Sequence, residues 1–487
     1  MSGVVPNFYG GEWRASTAAS RQPVLNPATG EELAQVALAP AAEAGPAVEA
    51  AARAFPAWRR VPPQERVQFL FRAKAGLEAA FEDLARTITL ECGKTLAESR
   101  AELRRGIENV EAACGIPLLL QGQSGEDIAA GIDELMWRQP LGVVAAITPF
   151  NFPAMIPLWF LPWAIACGNT FVLKPSERVP LSAVRLIEVF AATGLPPGVV
   201  NLAHGGVETV GALCDHPQVR AVSFVGSTAA ARQVYARAAA AGKRVQCQGG
   251  AKNAVVILPD ADLGAAAQAI SESAFGCAGQ RCLAASLAIA VGAARQPFAE
   301  AVTAAATARR VGNGLDEGVE TGPVISAASK ARVEALLARG RQAGARCLTP
   351  DGAGLSAQGF YLRPTVLDGL EPEGEMASTE VFGPVLGLIH ADSLECAIAL
   401  VNRHSYGNMA CLFTRDGGAA RRFRYEAEAG NIGVNVAVAA PMAQFPFSGW
   451  KQSFYGDLHA QGRDAVEFYT DKKVVVERWP APPGNTV

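Results

Sequence analysis

The hydrophobic and polar positions follow two different patterns along the chain. Residues 37–117 are rich in Ala, Glu and Arg with apolar residues at helical spacing, which predicts several packed helices. From residue 142 onward, short apolar runs such as GVVAAITPF (142–150) and NTFVLKPS (169–176) alternate with helical stretches. Strands that alternate with helices are typical of a mostly parallel α/β sheet. The alternation resumes near residue 285, which predicts a second α/β domain.

Further strands are predicted for apolar runs that share this pattern, namely VVNLAHGG (199–206), AVSFVGST (221–228), AVVILPDAD (254–262), LAIAVG (287–292), GPVIS (322–326), PTVLDG (364–369) and VFGPVLGLIHA (381–391). Residues 126–141 interrupt the helical region and predict a strand excursion. The late alternation in DAVEFYTDKKVVVERW (464–479) predicts an edge strand that pairs elsewhere.

Composition limits the class of protein. A chain of 487 residues, half of them hydrophobic, predicts two or three domains, and a net charge of −3 gives no footprint for nucleic acid or an anionic membrane. The apolar stretch 152–168 contains three prolines, so a buried helix is a better interpretation than a membrane span. Ten scattered cysteines, five histidines and no visible signal peptide predict a reduced, cytoplasmic enzyme without a metal site.

A dinucleotide site cannot be inferred from glycine spacing, because no G-x-G-x-x-G follows any predicted strand. Gly226 and Ser227 lie between a predicted strand and an Ala-rich helix, however. The free amides at a helix start attract phosphate. Many α/β proteins have such a turn for structural reasons alone.

Six motifs follow one another along the chain, namely TPFNFP (148–153), NTFVLKPSE (169–177), FVGS (224–227), GAKN (250–253), GQRC (279–282) and EVFGPVL (380–386). Together they resemble the aldehyde dehydrogenase superfamily over nearly the whole chain. PFNFPAMIPLW (149–159) and AGQRC (278–282) look most like its coenzyme A-acylating methylmalonate/malonate-semialdehyde dehydrogenases. The resemblance implies NAD, a homodimer or homotetramer, and three parts: a Rossmann-like NAD-binding domain (1–125 and 142–250), an α/β catalytic domain (251–447) and small β oligomerisation segments (126–141 and 464–487).

The resemblance also implies the roles of individual residues. Cys282 aligns with the nucleophile, which forms a thioester after hydride transfer, and Asn151 aligns with the asparagine that stabilises the alkoxide. The cofactor-binding positions it implies are Phe150, Lys174, Glu177, Gly226, Ser227, Glu380 and Phe382. A carboxylate at Glu177 favours NAD over NADP, because it accepts a bond from a ribose hydroxyl and repels a phosphate.

Each of these residues also has a structural interpretation. Taken alone, a cysteine in this setting is more typical of a small buried apolar residue. That interpretation suits Cys277, for which a redox pair with Cys282 is the alternative. Asn151 is also consistent with a simple turn residue before Phe-Pro.

The position of the general base differs from that in hydrolytic relatives. These carry glutamate in a Glu-Leu-Gly-Gly-Lys stretch, whereas this chain reads QCQGGAKN (246–253) and has Gln248 there. An amide does not take a proton from water at neutral pH, so acyl transfer to coenzyme A is favoured over hydrolysis. The alternative is a hydrolytic enzyme that uses another base, for which Asp457 and Glu467 are candidates. A non-catalytic NAD-binding scaffold is a third hypothesis.

A pair of arginines suggests the substrate. Arg281 and Arg105 align with residues that hold a substrate carboxylate in the resembling subfamily, and guanidinium groups bind carboxylates bidentately. Arg104 is the alternative to Arg105. The predicted substrate is malonate or methylmalonate semialdehyde, with decarboxylation that leaves acetyl-CoA or propionyl-CoA.

Overall fold

A computed structural model describes residues 3–350 and 354–479 of the chain. Residues 1, 2, 351–353 and 480–487 lie outside the described residues, and the last of these ranges includes the end of the predicted oligomerisation segment. The predicted helical region holds α1 (Gly45–Trp58), α2 (Pro63–Ala79), α3 (Phe81–Cys92), α4 (Leu96–Ala113) and α5 (Ile116–Leu119). The later helices are α6 (Met155–Ala166), α7 (Pro180–Ala191), α8 (Val207–Asp215), α9 (Thr228–Ala240), α10 (Leu263–Phe275), α11 (Arg295–Ala308), α12 (Ala327–Gln342), α13 (Glu375–Ser378), α14 (Leu394–Arg403), α15 (Gly417–Glu426) and α16 (Gly462–Phe468).

The strands form two large mixed sheets and smaller ones. They are β1 (Asn7–Tyr9), β2 (Glu12–Arg14), β3 (Arg21–Leu25), β4 (Glu32–Ala37), β5 (Gln123–Ala129), β6 (Ile132–Pro140), β7 (Val143–Ile147), β8 (Thr170–Lys174), β9 (Val200–Leu202), β10 (Val219–Val225), β11 (Arg244–Gln248), β12 (Asn253–Ile257), β13 (Ala285–Val291), β14 (Arg346–Cys347), β15 (Thr365–Asp368), β16 (Val385–Ala391), β17 (Tyr406–Gly407), β18 (Met409–Phe413), β19 (Asn431–Val434), β20 (Trp450–Lys451), β21 (Phe454–Tyr455) and β22 (Thr470–Glu477).

The first large sheet has the order β2-β1-β9-β8-β7-β10-β11-β21, and its strands from β9 to β11 are parallel. The chain passes from β7 to β8 and β9 on one side of the sheet, then returns to β10 beside β7 and continues to β11 on the other side. A crevice opens at such a switch point, beyond the carboxyl ends of the strands, and ligands bind there in open α/β sheets.

The second large sheet has the order β14-β15-β16-β13-β12-β18-β19, and its strands from β15 to β19 are parallel. Residues 249–252 connect the two large sheets, since β11 belongs to the first and β12 to the second. A third, antiparallel sheet has the order β22-β6-β5. The predicted excursion at 126–141 and the predicted edge strand near the end of the chain therefore pair with each other.

The predicted buried helix is α6, which is buried along its whole apolar length except at its first residue. It packs against α4, where Gly106 lies close to Leu158 and Oδ1 of Asn109 accepts from Nε1 of Trp163 at 3.2 Å. Among the described residues, no helix is both long and apolar enough to cross a membrane.

One predicted strand is absent, and one strand was not predicted. GPVIS (322–326) is not a strand, because its amides bond to loops: Val324 N donates to the Phe360 carbonyl and Ile325 N donates to Oε1 of Gln280. RVQCQ (244–248), for which no strand is predicted, forms β11 at one end of the first sheet's parallel region, beside the antiparallel β21. Its glutamines occupy buried positions, so the apolar pattern of a buried strand does not show in the sequence.

Candidate active site

A cavity of about 850 Å³ lies at the switch point of the first sheet. It collects side chains from the ends of several strands and from the second sheet's loops. Its lining includes the predicted residues Phe150, Asn151, Lys174, Glu177, Gly226, Ser227, Cys282, Glu380 and Phe382. The structure thus brings together residues that are up to 232 positions apart in the chain, from Phe150 to Phe382.

Lys174 is the last residue of β8, and its Nζ donates to Oε2 of Glu177 at 3.1 Å. Burial lowers the pKa of Lys174, which Glu177 partly offsets. Burial would raise the pKa of Glu177, but the charge and hydrogen bond of Lys174, a backbone hydrogen bond and the charge of Arg178 together outweigh it and the pKa is lowered. The pair therefore offers a carboxylate acceptor at the edge of the cavity, suited to a hydroxyl and repulsive to a phosphate.

The N-terminus of α9 faces the same cavity through Thr228, Ala229 and Ala230. Ser227 is its N-cap, and its Oγ accepts from Ala230 N at 3.4 Å. At Gly226 a Cβ would lie 2.5 Å from the ring of Phe224, so a larger residue would displace the turn. A helix start with free amides is suited to a phosphate group.

Glu380 and the two aromatic residues form the opposite wall. Glu380 Oε1 accepts from Ala251 N at 2.9 Å, and burial raises the pKa of Glu380 to about 6. At Gly250 a Cβ would lie 2.4 Å from Oε2 of Glu380, so only glycine leaves room for this carboxylate. Phe382 meets Phe150 edge to face, with ring centroids 5.8 Å apart.

Cys282 lies where this cavity meets a second one of about 460 Å³, since it lines both. Its carbonyl accepts from Nδ2 of Asn253 at 2.9 Å and from Nδ2 of Asn408 at 2.8 Å. Burial, followed by the charge of Glu380, raises the pKa of the Cys282 thiol to about 12. The thiol is therefore protonated at neutral pH until a positive charge or a base comes near it.

Asn151 reaches the segment that carries Cys282. It lies between β7 and α6, and its Nδ2 donates to the Gln280 carbonyl at 2.9 Å. This amide and Cys282 line the same cavity.

The second cavity contains the predicted arginine pair, Arg105 and Arg281. Arg281 Nη2 donates to Oε1 of Glu98 at 3.3 Å. Arg105 pairs with Glu108 at 2.9 Å and donates to the Pro441 carbonyl.

Arg104, the alternative to Arg105, instead pairs with Glu78 at 3.5 Å and lies over the ring of Phe81. Of the two arginines, the structure therefore places Arg105 in the cavity with Cys282. The rest of the wall is mainly apolar and includes Phe152, Met155, Trp159, Leu283, Val438 and Phe447.

Cys277 also lines the second cavity. Its backbone N donates to Glu98 Oε1 at 2.6 Å, it has a φ of 49°, and burial raises its pKa. The burial of Cys277 is consistent with a packed structural residue. Cys277 and Cys282 line the same cavity, and a redox pair between them stays a prediction.

Gln248 ends β11 directly before Gly249, which lines the larger cavity. It is 3% exposed, and neither atom of its amide has a hydrogen-bond partner among the described residues. The alternative bases lie elsewhere: Glu467 pairs with Arg138 and Lys472, and Asp457 is exposed. Neither of them lines the two cavities around Cys282 in the described parts of the chain.

Sequence reasoning missed Asn253, Asn408, Lys94 and Glu102, which hold the backbone of the site. Asn253 belongs to the GAKN motif, so its motif was an available signal. Asn408 lies 126 residues from Cys282 and has no such signal.

Comparison with known proteins identifies the class. The chain belongs to the Aldehyde dehydrogenase family, whose sequence profile matches residues 13–475. The predicted family and α/β fold are thereby confirmed.

Particular relatives narrow the comparison. The chain is 51% identical over 476 residues to malonate-semialdehyde dehydrogenase 3 of Geobacillus kaustophilus, covering 97% of this chain and 98% of that protein. The crystal structure of methylmalonate-semialdehyde dehydrogenase from Oceanimonas doudoroffii is 43% identical, with a TM-score of 0.96 and 99% of each chain covered. A Sinorhizobium meliloti protein assigned to the same activity and solved in complex with NAD is 39% identical, with a TM-score of 0.97 and 100% of each chain covered.

Proposed function

We propose that this chain is an NAD-dependent, coenzyme A-acylating dehydrogenase of malonate or methylmalonate semialdehyde. The observation that carries the proposal is the position of Cys282 between two cavities. One cavity has the acceptor groups and helix start that a dinucleotide needs, and the other has two arginines suited to a carboxylate. The names of the relatives support the same activity.

NAD fits the larger cavity. Lys174 and Glu177 are placed for a ribose, the amides after Ser227 for a phosphate, and Glu380 for a second ribose. Because Gly250 has no side chain, there is room for the Glu380 carboxylate. When bound, NAD accepts the hydride of the aldehyde, and its positively charged ring lowers the cost of ionising the Cys282 thiol.

The residues of this chain form the bond to the aldehyde before hydride transfer and hold the thioester after it. The Cys282 thiol gives its proton to water, and its sulphur bonds to the aldehyde carbon. The aldehyde oxygen becomes an alkoxide, which Nδ2 of Asn151 and the backbone N–H of Cys282 stabilise. Loss of the carbon-bound hydrogen as hydride leaves a thioester on Cys282.

Deacylation depends on Gln248. Its amide takes no proton from water, so hydrolysis of the thioester is slow. A coenzyme A thiol replaces Cys282 in a thioester exchange that needs less activation than attack by water. Arg105 and Arg281 bind the substrate carboxylate, whose loss as carbon dioxide gives acetyl-CoA or propionyl-CoA.

The same proposal covers the domain division and the assembly. The first large sheet, the second large sheet and the antiparallel β22-β6-β5 sheet support a NAD-binding domain, a catalytic domain and an oligomerisation part. Val474, Val476 and Trp137 are exposed apolar residues on that third sheet, which favours a homodimer or homotetramer. The free cysteines of the described residues favour a cytoplasmic location. Sedimentation velocity tests the assembly: a monomer at micromolar concentration would contradict it.

The experiment that tests the activity is NADH formation from malonate semialdehyde with and without coenzyme A, with identification of the acyl product. Turnover that requires coenzyme A and yields acetyl-CoA is the expected result. Sustained turnover without coenzyme A, releasing a free acid, would instead indicate a hydrolytic enzyme with another base. An absence of turnover with NAD and either acceptor would contradict the proposed substrate.

A further inference from the structure

A buried ion pair lies behind the loop that carries Asn151. Lys94 Nζ donates to Oε2 of Glu102 at 2.7 Å, and the two side chains are 2% and 0% exposed. We call Lys94 and Glu102 the buried clamp. Neither residue belongs to a motif of the sequence analysis, and neither has a role in the proposed chemistry.

Glu102 holds the end of the loop where α6 begins. Its Oε1 accepts from Ala154 N at 2.8 Å and from Met155 N at 3.1 Å. The N-cap residue of α6, Ala154, provides no side-chain cap of its own. A carboxylate from α4 therefore satisfies the free amides at this helix start, where negative charge is favoured.

Lys94 holds the loop at Asn151 itself. Its Nζ donates to the Asn151 carbonyl at 2.5 Å and lies 4.2 Å from the centroid of the Phe152 ring. Burial would lower the pKa of Lys94, but the charge of Glu102, together with Cys277, Cys92 and the hydrogen bond to Glu102, outweighs it and the pKa is raised. The ammonium therefore stays charged, and its hydrogen bond to the loop is charge-assisted.

The two ends of Asn151 are thus bound to different parts of the molecule. Its carbonyl is bound to the clamp, and its Nδ2 is bound to the Gln280 carbonyl, two residues before Cys282. A shift of the carbonyl moves the side-chain amide by a comparable amount. Misplacement of a catalytic group by about 1 Å costs on the order of 100-fold in rate.

We propose that Lys94 and Glu102 are positioning residues that set the place of the Asn151 amide relative to Cys282, and thereby the rate of acylation. The inference rests on the proposed role of Asn151. Lys94 lines neither cavity, and Glu102 lies in the wall of the second cavity with its side chain fully buried and both of its oxygens hydrogen-bonded. The clamp therefore acts on the reaction through the loop that it holds.

The test replaces both members of the clamp, in Lys94→Met combined with Glu102→Leu. Removing one member leaves a buried charge without a partner, which strongly destabilises a protein, whereas an apolar pair of similar size is often tolerated. The matched control is Arg66→Met. Arg66 is also buried, and it donates to the Ala166 carbonyl at the opposite end of α6.

The measured quantity is the rate of the first NADH formed after mixing, with malonate semialdehyde and with propanal, which needs no carboxylate contact. We expect the clamp variant to lose about 10- to 100-fold in this rate, while KM for the aldehyde changes less than about threefold. Arg66→Met keeps the wild-type rate. Adding Asn151→Ala to the clamp variant gives no further loss beyond that of Asn151→Ala alone, because both changes remove one interaction.

The outcomes separate the two proposals. If Asn151→Ala is slow but the clamp variant is as fast as wild type, or if the two losses multiply, the clamp proposal is wrong. If Asn151→Ala is as fast as wild type, the proposed role of Asn151 is wrong and the clamp proposal falls with it. If the wild type oxidises neither aldehyde, the proposed function is wrong.

A measurement without turnover tests the geometry directly. In the clamp variant, hydrogen exchange of the amides in 148–155 is expected to accelerate, while exchange in α9 stays at the wild-type rate. In Arg66→Met, exchange in 148–155 is expected to stay at the wild-type rate. Unchanged exchange in 148–155 would show that the clamp does not hold this loop, and the proposal would be refuted.

Discussion

Gln248→Glu is expected to convert the enzyme toward hydrolysis. The amide of Gln248 makes no hydrogen bond among the described residues, so the nearly isosteric replacement breaks none. Its cost is the burial of a carboxyl group, which stays protonated at low pH because burial raises its pKa above the usual value of about 4.3. The base form appears as the pH rises through that pKa, and hydrolysis rises with it.

The magnitude follows from general-base catalysis, which contributes about 10²- to 10⁴-fold. We therefore expect NADH turnover from malonate semialdehyde without coenzyme A to increase at least about 100-fold at pH 8. The assay is steady-state NADH absorbance with quantification of the released free acid. Cys282 is unchanged, so the rate of the first NADH formed should stay near that of the wild type.

Gln246→Glu is the matched control. Gln246 lies two residues earlier on the same face of β11, is fully buried, and donates from Nε2 to Ser223 Oγ at 3.0 Å. Gln246→Glu also buries a carboxyl group and in addition loses the bond to Ser223, but residue 246 is not next to Gly249. Free acid that rises equally in both variants, or in neither, would refute the assignment of Gln248 to the base position.

Three further predictions concern the two cavities. Arg105→Leu should raise KM for malonate semialdehyde about 10- to 100-fold and leave that for propanal unchanged, whereas Arg104→Leu should change neither. The rate of alkylation of Cys282 by iodoacetamide without NAD should rise about tenfold per pH unit toward the pKa of about 12. Glu380→Gln should lower that pKa, and a wild-type midpoint near pH 8 would contradict the prediction. Glu177→Gln should raise kcat/KM for NADP about tenfold, and an unchanged NAD to NADP ratio would count against its role at the ribose.

The alternation of apolar strands and helices was enough to predict two α/β domains with mostly parallel strands, because each buried parallel strand shows as a continuous apolar run. The three-part fold was implied by the resemblance to the family. The alternation failed at β11, where Gln246 and Gln248 occupy buried positions, and at GPVIS, where apolar residues bond to loops. Motifs supplied the side chains that face the two cavities.

Asn253 binds backbone and lies in the GAKN motif, but Asn408 and Glu102, which also bind backbone, had no such signal. Asn408 and Glu102 act on carbonyls or amides that are distant in the chain, and any residue type can supply those groups. Helical spacing also does not decide between Arg104 and Arg105, since adjacent positions differ by about 100° in direction and the packing of α4 selects one.

Helix α4 binds three separate segments around the active site through side chains at fixed spacings along its axis. Glu98 binds the segment of Cys277 and Arg281, Glu102 binds the start of α6, and Arg105 binds the Pro441 carbonyl. These positions are four and three residues apart, about 10 Å along one face. Inserting or deleting one residue between them would turn the later ones by about 100° and detach several loops at once. Changes of substrate range that involve α4 must therefore come from substitutions, while the length of the helix stays fixed.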